Sequence, residues 1–144
     1  MKPENELTME FSSRSCNEAF ARAAVGAFVA PMDPTMEELS DIKTAVSEAV
    51  TNCIVHAYPD AVGSIHLHCE TYPDRTLSLE IRDQGVGIPD VQAARAPMFT
   101  TGGAERSGMG FTIMEKFMSS LQVESTPGEG TRVTMTRTLR GTDH

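Results

Sequence analysis

Three groups of residues supply the side chains and turns that could do chemistry in this chain. Glu48 and Asn52 stand four positions apart in a helix-like run. Residues 83–87 read Asp-Gln-Gly-Val-Gly after a strand-like run, and Gly108-Met109-Gly110 opens a second helix-like run. A carboxylate and an amide on one helix, together with two glycine-rich turns, indicate a pocket for a nucleotide.

Glu48 and Asn52 lie about 40° apart around the predicted helix, so they share one stripe of its surface. The simpler interpretation of a lone Glu-x-x-x-Asn is a solvated helix face. The functional interpretation assigns the two residues separate tasks. The Asn52 amide oxygen is a hard, neutral ligand that suits Mg²⁺ beside phosphates. The Glu48 carboxylate, one turn earlier, suits proton abstraction from an attacking hydroxyl. His56 is expected to be structural.

The turn at residues 83–87 also has two interpretations. Glycines after a strand are typical of a plain turn, because they permit positive φ angles. In the functional interpretation Asp83 accepts a hydrogen bond from the exocyclic amine of adenine. Gly85 and Gly87 then let the backbone lie against the flat base, where a Cβ atom would obstruct it.

Residues 100–110 complete the pattern. Gly108, Met109 and Gly110 are predicted at a helix start, where free N–H groups and the helix dipole favour an anion. Gly102 and Gly103 suit a hinged lid, and Arg106 can bind a terminal phosphate through two parallel hydrogen bonds. Each feature alone is typical of an ordinary loop. Their occurrence together, in an order that permits one pocket, favours the nucleotide site.

The elements that must position these residues follow from hydrophobic periodicity. Leu7, Met9 and Phe11 alternate with polar residues and predict the first strand. The further predicted elements are helices over 14–30, 33–57 (starting at Asp33-Pro34), 90–96 and 110–120, and strands over 64–71, 77–81, 121–124 and 131–139. Two hairpins without repeated strand–helix alternation favour an α+β fold, a two-layer sandwich of a mixed, mostly antiparallel sheet with helices on one face. We expect a single domain over residues 1–144 with a tail that frays from about Arg140.

Composition excludes several function classes. The formal net charge of −8 argues against a nucleic-acid-binding face, which needs clustered Lys and Arg. Cys16, Cys53 and Cys69 are far apart, which argues against a disulfide framework or a zinc site and fits a reducing compartment. The longest apolar run, residues 23–32, is too short to span a bilayer. We therefore expect a cytoplasmic protein without nucleic-acid or membrane partners.

The motifs resemble those of a known superfamily. Glu-x-x-x-Asn at residues 48–52, Asp-x-Gly-x-Gly at 83–87 and Gly-x-Gly-x-x-Ile at 108–113 are the signature of the GHKL ATPases, which include DNA gyrase B, MutL and histidine kinases. With Ser13-Arg14-Ser15, the same segments resemble the sporulation anti-sigma factors of this superfamily over roughly residues 5–138. The resemblance implies the Bergerat sandwich fold and a homodimer that binds ATP or ADP with Mg²⁺.

The resemblance also implies residue roles. Glu48 matches the general base, Asn52 the Mg²⁺ ligand, and Arg106 the lid arginine that meets the γ-phosphate. Arg22, on the first helix, matches a partner-contact residue. The positions that match the nucleotide site are Asn52, Asp83, Gly85, Gly87, Thr100, Thr101, Ser107, Gly108, Met109, Gly110 and Thr131. The lid around residues 100–106 is shorter and richer in glycine than expected of these relatives.

The function implied by the resemblance is double. Such proteins sequester the sporulation sigma factor sigma-F from the RNA polymerase core, and they phosphorylate a serine of a small anti-anti-sigma factor. Two alternatives stay open: a paralogous stress-response anti-sigma serine kinase, and a nucleotide-gated anti-sigma binding module without useful kinase activity. Glu48 favours a kinase, because a binding module needs no base. An excised histidine kinase domain is less favoured, because His56 is the only histidine predicted in a helix.

Overall fold

The computed structural model describes residues 1–95 and 105–141, with the side chains of residues 105–109 left out of the description. Five strands and four α-helices make up this part of the chain. They are β1 (Asn5–Ser12), α1 (Cys16–Val29), α2 (Met36–Asn52), β2 (Ser64–Thr71), β3 (Thr76–Asp83), α3 (Val91–Arg95), α4 (Glu105–Phe117), β4 (Ser120–Thr126) and β5 (Gly130–Thr138). A 3₁₀ turn, Ala30–Met32, follows α1, and a π-helical turn, Cys53–Ala57, continues α2.

The strands form one open sheet in the order β1-β2-β3-β5-β4. Every described neighbour pair is antiparallel, and the β3–β5 register places Asp83 opposite Thr131. The predicted α+β fold is therefore confirmed. The sheet differs from the prediction in one respect, since the described pairings are antiparallel throughout and not mixed.

One face of the sheet is buried beneath the helices. Alternate residues of the two central strands point into this core, and all are at most 1% exposed: Ile65, Leu67, Cys69, Leu77, Leu79 and Ile81. Ile42, Val46 and Val50, at three-and-four spacing on α2, cover them and are fully buried. Burial of each such side chain contributes about 1.5–3 kcal/mol. The other face presents polar residues such as His66, His68 and Glu80, as expected for an antiparallel sheet covered on one side.

Several predicted helix boundaries are wrong by a few residues. The second long helix begins at Met36 with Thr35 as its N-cap, whereas Asp33 adopts a left-handed φ of 55° at the end of the 3₁₀ turn. Thr35 and Glu38 form a reciprocal capping box, which satisfies two N–H groups and outweighs the Asp33-Pro34 start signal. Helix α4 begins at Glu105, five residues before its predicted start at Gly110. Glu105 and Arg106 are good helix formers, and they offset the cost of glycine in the first turns.

Glu38 also anchors the end of the described chain. Its carboxylate accepts hydrogen bonds from the N–H groups of Arg140 (2.7 Å) and Gly141 (3.2 Å). Leu139, only 3% exposed, donates its N–H to the carbonyl of Arg75. The Glu38 carboxylate thus binds the backbone of Arg140 and Gly141, and the expectation of a tail that frays from about Arg140 stays a prediction. Residues 142–144 lie outside the described part.

This anchor makes folding sensitive to pH. Burial by itself raises the pKa of the Glu38 carboxyl group. Hydrogen bonds from the N–H groups of Thr35, Arg140 and Gly141 outweigh burial, so the pKa is lowered in the folded protein. A carboxyl group with a depressed folded-state pKa stabilises the fold above its unfolded-state pKa, near 4.5. That stabilisation disappears as the pH falls through the folded-state pKa.

Within the described residues, no helix is long and apolar enough to cross a membrane.

We predict that Glu38→Gln lowers the free energy of unfolding at pH 7 by about 2–3 kcal/mol, because an amide NH₂ replaces one acceptor oxygen facing backbone donors. Urea denaturation at pH 7 and pH 3.5 measures the effect. The difference between wild type and variant should shrink at pH 3.5, below the unfolded-state pKa near 4.5, because the unfolded wild-type chain then binds a proton more readily than the folded one. The exposed neighbour Glu37→Gln is the matched control. Equal losses from the two substitutions would show that Glu38 is not an anchor.

Candidate nucleotide site

A cleft of about 200 Å³, open on one side, lies between the end of α2, the turn after β3, α4 and β5. Its walls are largely apolar, and its polar side chains include those of Asn52, His56, Asp83 and Thr131. The other lining residues are Ala49, Cys53, Ala57, Gly87, Ile88, Pro89, Ala94, Phe111 and Val133. An apolar cleft with a few fixed polar groups is the usual form of a site for a flat organic ligand.

Asp83 is the fixed acceptor of the cleft. It is the last residue of β3 and is only 5% exposed. Its Oδ1 atom accepts hydrogen bonds from the N–H groups of Gly85 (2.9 Å) and Thr131 (3.2 Å). Its Oδ2 atom accepts one from the thiol of Cys53 at 3.4 Å. Because Oδ1 is held by two backbone donors, Oδ2 is the oxygen that remains for a ligand amine.

The glycines of the turn serve the packing of the protein itself. Gly87 has a left-handed φ of 80°, and a Cβ atom there would lie 2.5 Å from the carbonyl oxygen of Thr126. A Cβ atom at Gly85 would lie 2.2 Å from the carbonyl oxygen of Ala57. The same Ala57 oxygen accepts the N–H of Val86 at 3.0 Å. The sequence predicts that these glycines allow close approach to a base. In the structure, Gly85 closely approaches the π-helical turn and Gly87 closely approaches Thr126.

Two residues that hold the turn were not found from the sequence. Ser125 Oγ accepts the N–H of Ile88 at 2.7 Å and is hydrogen-bonded to Thr131 Oγ1 at 2.8 Å. Tyr58 accepts the N–H of Gln84 at 2.7 Å, and its hydroxyl donates to the carbonyl of Ser64 at 2.8 Å. Ser125 has no signal in the sequence, because its role depends on strand pairing. Tyr58 is part of a Tyr-Pro-Asp turn, which gives no indication of its reach across the fold.

Glu48 and Asn52 meet α4 at Gly110. A Cβ atom at Gly110 would lie 3.1 Å from Asn52 Oδ1 and 3.5 Å from Glu48 Oε1. Glycine at this position therefore lets α4 approach the Asn52 amide and the Glu48 carboxylate more closely than a residue with a side chain could. Both side chains are half-buried, and Asn52 lines the cleft. The stripe predicted from the sequence is thus brought to one place by packing of α4 against α2.

His56 lines the cleft on the π-helical turn, although it was expected to be only structural. Desolvation by its surroundings lowers the pKa of the imidazole, so the ring is neutral at pH 7 even though the residue is partly exposed.

The predicted residues of the lid and the phosphate turn are only partly described. Thr100 and Thr101 lie outside the described residues, as do the side chains of Arg106, Ser107 and Met109. Gly108 lies in the first turn of α4. An α-helix leaves its first four N–H groups without a partner inside the helix. Because α4 begins at Glu105, these groups are in residues 105–108 and not in the residues from Gly110 onward.

Arg22 lies away from the cleft, between α1 and α2. Its Nη1 atom is 3.1 Å from Glu18 Oε2 and 3.4 Å from Ser47 Oγ. Ser47 donates to Glu18 at 2.6 Å. The Arg22 side chain is therefore held beside Ser47, the sequence neighbour of Glu48, and it retains 42% exposure to solvent.

Comparison with known proteins agrees with this geometry. A family model described as a histidine kinase-like ATPase domain matches residues 11–137. The chain is 53% identical to an anti-sigma F factor of Caldanaerobacter subterraneus subsp. tengcongensis, over 95% of this chain and 96% of that protein. It is 56% identical to an anti-sigma F factor of Geobacillus kaustophilus, over 90% of this chain and 89% of that protein.

Solved structures share the fold. One contains the RsbU and RsbW domains of a Mycobacterium tuberculosis protein, with a TM-score of 0.71 at 20% identity. It covers 95% of this chain, which spans 33% of that longer chain. Another is a histidine kinase domain from Erythrobacter litoralis, with a TM-score of 0.55 at 22% identity over 85% of this chain and 60% of that one.

We predict that Gly85→Ala weakens both folding and nucleotide binding, because its Cβ atom forces the turn away from Ala57. The expected loss in the free energy of unfolding is about 2 kcal/mol or more, on the scale of an overpacked core. Thermal denaturation and titration calorimetry with ATP measure the two effects. Gly26→Ala is the control, because Gly26 has no positive φ and the nearest atom to its Cβ position, in the Lys43 side chain, lies at a contact distance of 3.4 Å. Equal effects of the two substitutions would contradict the packing role of Gly85.

Proposed function

This chain belongs to the histidine kinase-like ATPase family and, within it, to the anti-sigma F factors, and we propose from this premise that it is an anti-sigma factor and an ATP-dependent protein serine kinase. It binds the sporulation sigma factor sigma-F and blocks its association with the RNA polymerase core. It transfers phosphate from ATP to a serine of the anti-anti-sigma factor. It acts in the cytoplasm as a homodimer. The observation that supports the catalytic part best is the convergence of Glu48 and Asn52 at Gly110, beside a cleft that ends at Asp83.

Phosphoryl transfer requires mainly alignment and charge neutralisation from the protein. The cleft supplies alignment, since Asp83 binds the amine of adenine and the apolar walls hold the base. The two polar side chains at Gly110 then lie toward the phosphate end of the ligand. This division assigns base binding to the turn after β3, and it assigns phosphate transfer to the place where Glu48 and Asn52 of α2 meet Gly110 of α4.

Glu48 acts as the general base in this proposal. The serine Oγ–phosphorus bond forms while the bond between the γ-phosphorus and the bridging oxygen breaks, and ADP leaves. The serine proton passes to a Glu48 carboxylate oxygen. The carboxylate is half-buried, and it lies within a few ångströms of the Asn52 amide across the Gly110 position. Arg106 is proposed to meet the γ-phosphate.

Asn52 is the residue that fits Mg²⁺. Magnesium in nucleotide sites is held by one or two protein oxygens together with phosphate oxygens and water. The Asn52 amide packs closely on Gly110, with Oδ1 3.1 Å and Nδ2 3.2 Å from the position that a Cβ atom would take, and the same side chain lines the cleft. When bound, the ion neutralises phosphate charge. The protein's own part is to hold that amide oxygen at the junction of α2 and the π-helical turn.

A nucleotide-gated binding module without kinase activity is the second candidate. Sigma-factor binding alone needs a nucleotide cleft and a partner surface, for which Arg22 on α1 is proposed. It does not need a carboxylate next to the Mg²⁺ ligand. The position of Glu48 therefore favours the kinase. The relatives at 53% and 56% identity are anti-sigma F factors, which favours sigma-F over a stress-response sigma factor.

We predict that Glu48→Gln lowers the rate of phosphate transfer about 10²- to 10⁴-fold, because an amide cannot accept the serine proton. Phosphoserine on the purified anti-anti-sigma factor, followed by mass spectrometry, measures the rate. ATP affinity and complex formation with sigma-F in gel filtration should remain. Glu37→Gln, on the exposed side of the same helix, is the control. Near wild-type transfer by Glu48→Gln would remove Glu48 from the chemistry, and no transfer by wild type would favour the binding module.

We predict that Asn52→Ala weakens ATP binding in Mg²⁺ by about tenfold or more, the scale expected when a metal site loses a supporting group. Titration calorimetry in Mg²⁺ and in EDTA measures this. Wild type should lose affinity in EDTA, whereas the variant should bind equally weakly in both. An undiminished Mg²⁺ dependence in the variant would place the metal elsewhere.

A further inference from the structure

Among the described residues, Cys53 is the one whose side chain donates a hydrogen bond to Asp83, the fixed acceptor of the cleft. It is the first residue of the π-helical turn, is 5% exposed and lines the cleft. Its sulfur lies 3.4 Å from Asp83 Oδ2. The other two cysteines have different surroundings, since Cys16 is exposed and Cys69 lies in the core under β2.

The hydrogen-bonding capacity of Asp83 can be counted. A carboxylate oxygen has two lone pairs. Oδ1 accepts from the N–H groups of Gly85 and Thr131, so both of its positions are taken. Oδ2 accepts from Cys53, which takes one of its two positions. One acceptor position of Oδ2 therefore remains for a ligand.

The thiol is the donor of this contact. A carboxylate oxygen has no proton to donate, so the proton between the two groups belongs to the Cys53 sulfur, which lies 3.4 Å from Asp83 Oδ2. Cys53 is therefore a hydrogen-bond donor at the wall of the cleft.

We propose that Cys53 is a specificity-determining residue of the cleft, which occupies one position of Asp83 Oδ2 and excludes water there, so that the remaining position accepts only an amino group of a bound purine. This inference rests on the proposed nucleotide function. A 6-amino purine donates to the free position. A 6-oxo purine of the same size places a carbonyl oxygen against the carboxylate, and no water has space to bridge the two oxygens.

Removing the thiol should relax this selection. In Cys53→Ala the space beside Oδ2 opens to the cleft, and a water molecule can enter it. A bridging water donates to both oxygens and relieves their repulsion. The 6-oxo base is then penalised less. Cys53→Ser keeps a donor at the same place and should preserve selection.

The test measures dissociation constants for ATP and inosine triphosphate by titration calorimetry in Mg²⁺. The two bases have nearly the same size and differ in the 6-substituent and in the proton that inosine carries on N1, so their ratio reports hydrogen bonding and not volume. We expect the ratio of the inosine triphosphate to the ATP constant to fall about threefold to tenfold in Cys53→Ala, the range for one hydrogen bond. In Cys53→Ser it should stay within about twofold of wild type, on the same scale.

Cys69→Ala is the matched control, because it removes the same atoms from a fully buried cysteine outside the cleft. Thermal denaturation confirms that each variant is folded before titration. A ratio in Cys53→Ala equal to that in Cys69→Ala overturns this inference and leaves the nucleotide site intact. An equal fall in Cys53→Ser and Cys53→Ala also overturns it, since space alone then sets selectivity. Absence of ATP binding by wild type refutes the proposed function itself.

Discussion

The contact between the π-helical turn and the glycine turn after β3 is the constraint on which the cleft depends. The carbonyl oxygen of Ala57 accepts the N–H of Val86, and Gly85 approaches so closely that any side chain would collide with that oxygen. The contact closes one wall of the cleft. It also brings Cys53, on the π-helical turn, to Asp83, at the end of β3. Without it, the helix that bears Glu48 and the strand that bears Asp83 would share no wall.

The π-helical turn itself follows from this packing. The N–H of Tyr58 bonds the carbonyl of Cys53, five residues back, in place of the four-residue spacing of an α-helix. Such insertions are frequent at functional sites. Here the turn presents the Ala57 carbonyl to Val86, and Tyr58 reaches Gln84 and Ser64. The irregular geometry is therefore held by a partner at the start of β2 and by partners in the turn after β3.

Much of the fold and part of the site are encoded in local patterns that the sequence displays. Alternation at residues 64–71 and helical spacing of Ile42, Val46 and Val50 predict the observed strand and core-facing helix. The Glu48–Asn52 stripe depends only on helical periodicity, so it was predictable as well. The capping box competes with a stronger-looking Asp33-Pro34 signal, and the outcome depends on the Glu38 carboxylate, which also binds Arg140 and Gly141 far along the chain.

The parts that escaped prediction depend on residues distant in sequence. Ser125 holds Thr131 and Ile88 only because β4 pairs with β5 beside the turn. Position 85 must be glycine because the carbonyl oxygen of Ala57, far back in the chain, lies where a side chain would begin. The hydrogen bond between Cys53 and Asp83 likewise joins residues 30 positions apart. Periodicity and turn chemistry report near neighbours along the chain. They contain no information on which surfaces meet after the chain has folded.

Helix α2 and its π-helical extension supply residues to both ends of the site. Glu48 and Ala57 are nine residues apart, a rise of roughly 13 Å along a helix. Because one continuous element holds both, their separation is set by backbone hydrogen bonds and not by the position of a loop. The two ends of the cleft are built differently. At one end α4 approaches Asn52 closely, which the absence of a side chain at Gly110 permits. At the other end Asp83 is fixed, because two backbone donors hold its Oδ1 atom. In the proposed function, groups that are fixed before the ligand arrives bind the base, whereas phosphate transfer relies on side chains at the junction of two helices. A protein with the proposed function can therefore retain its nucleotide while the Glu48 carboxylate decides whether phosphate is transferred.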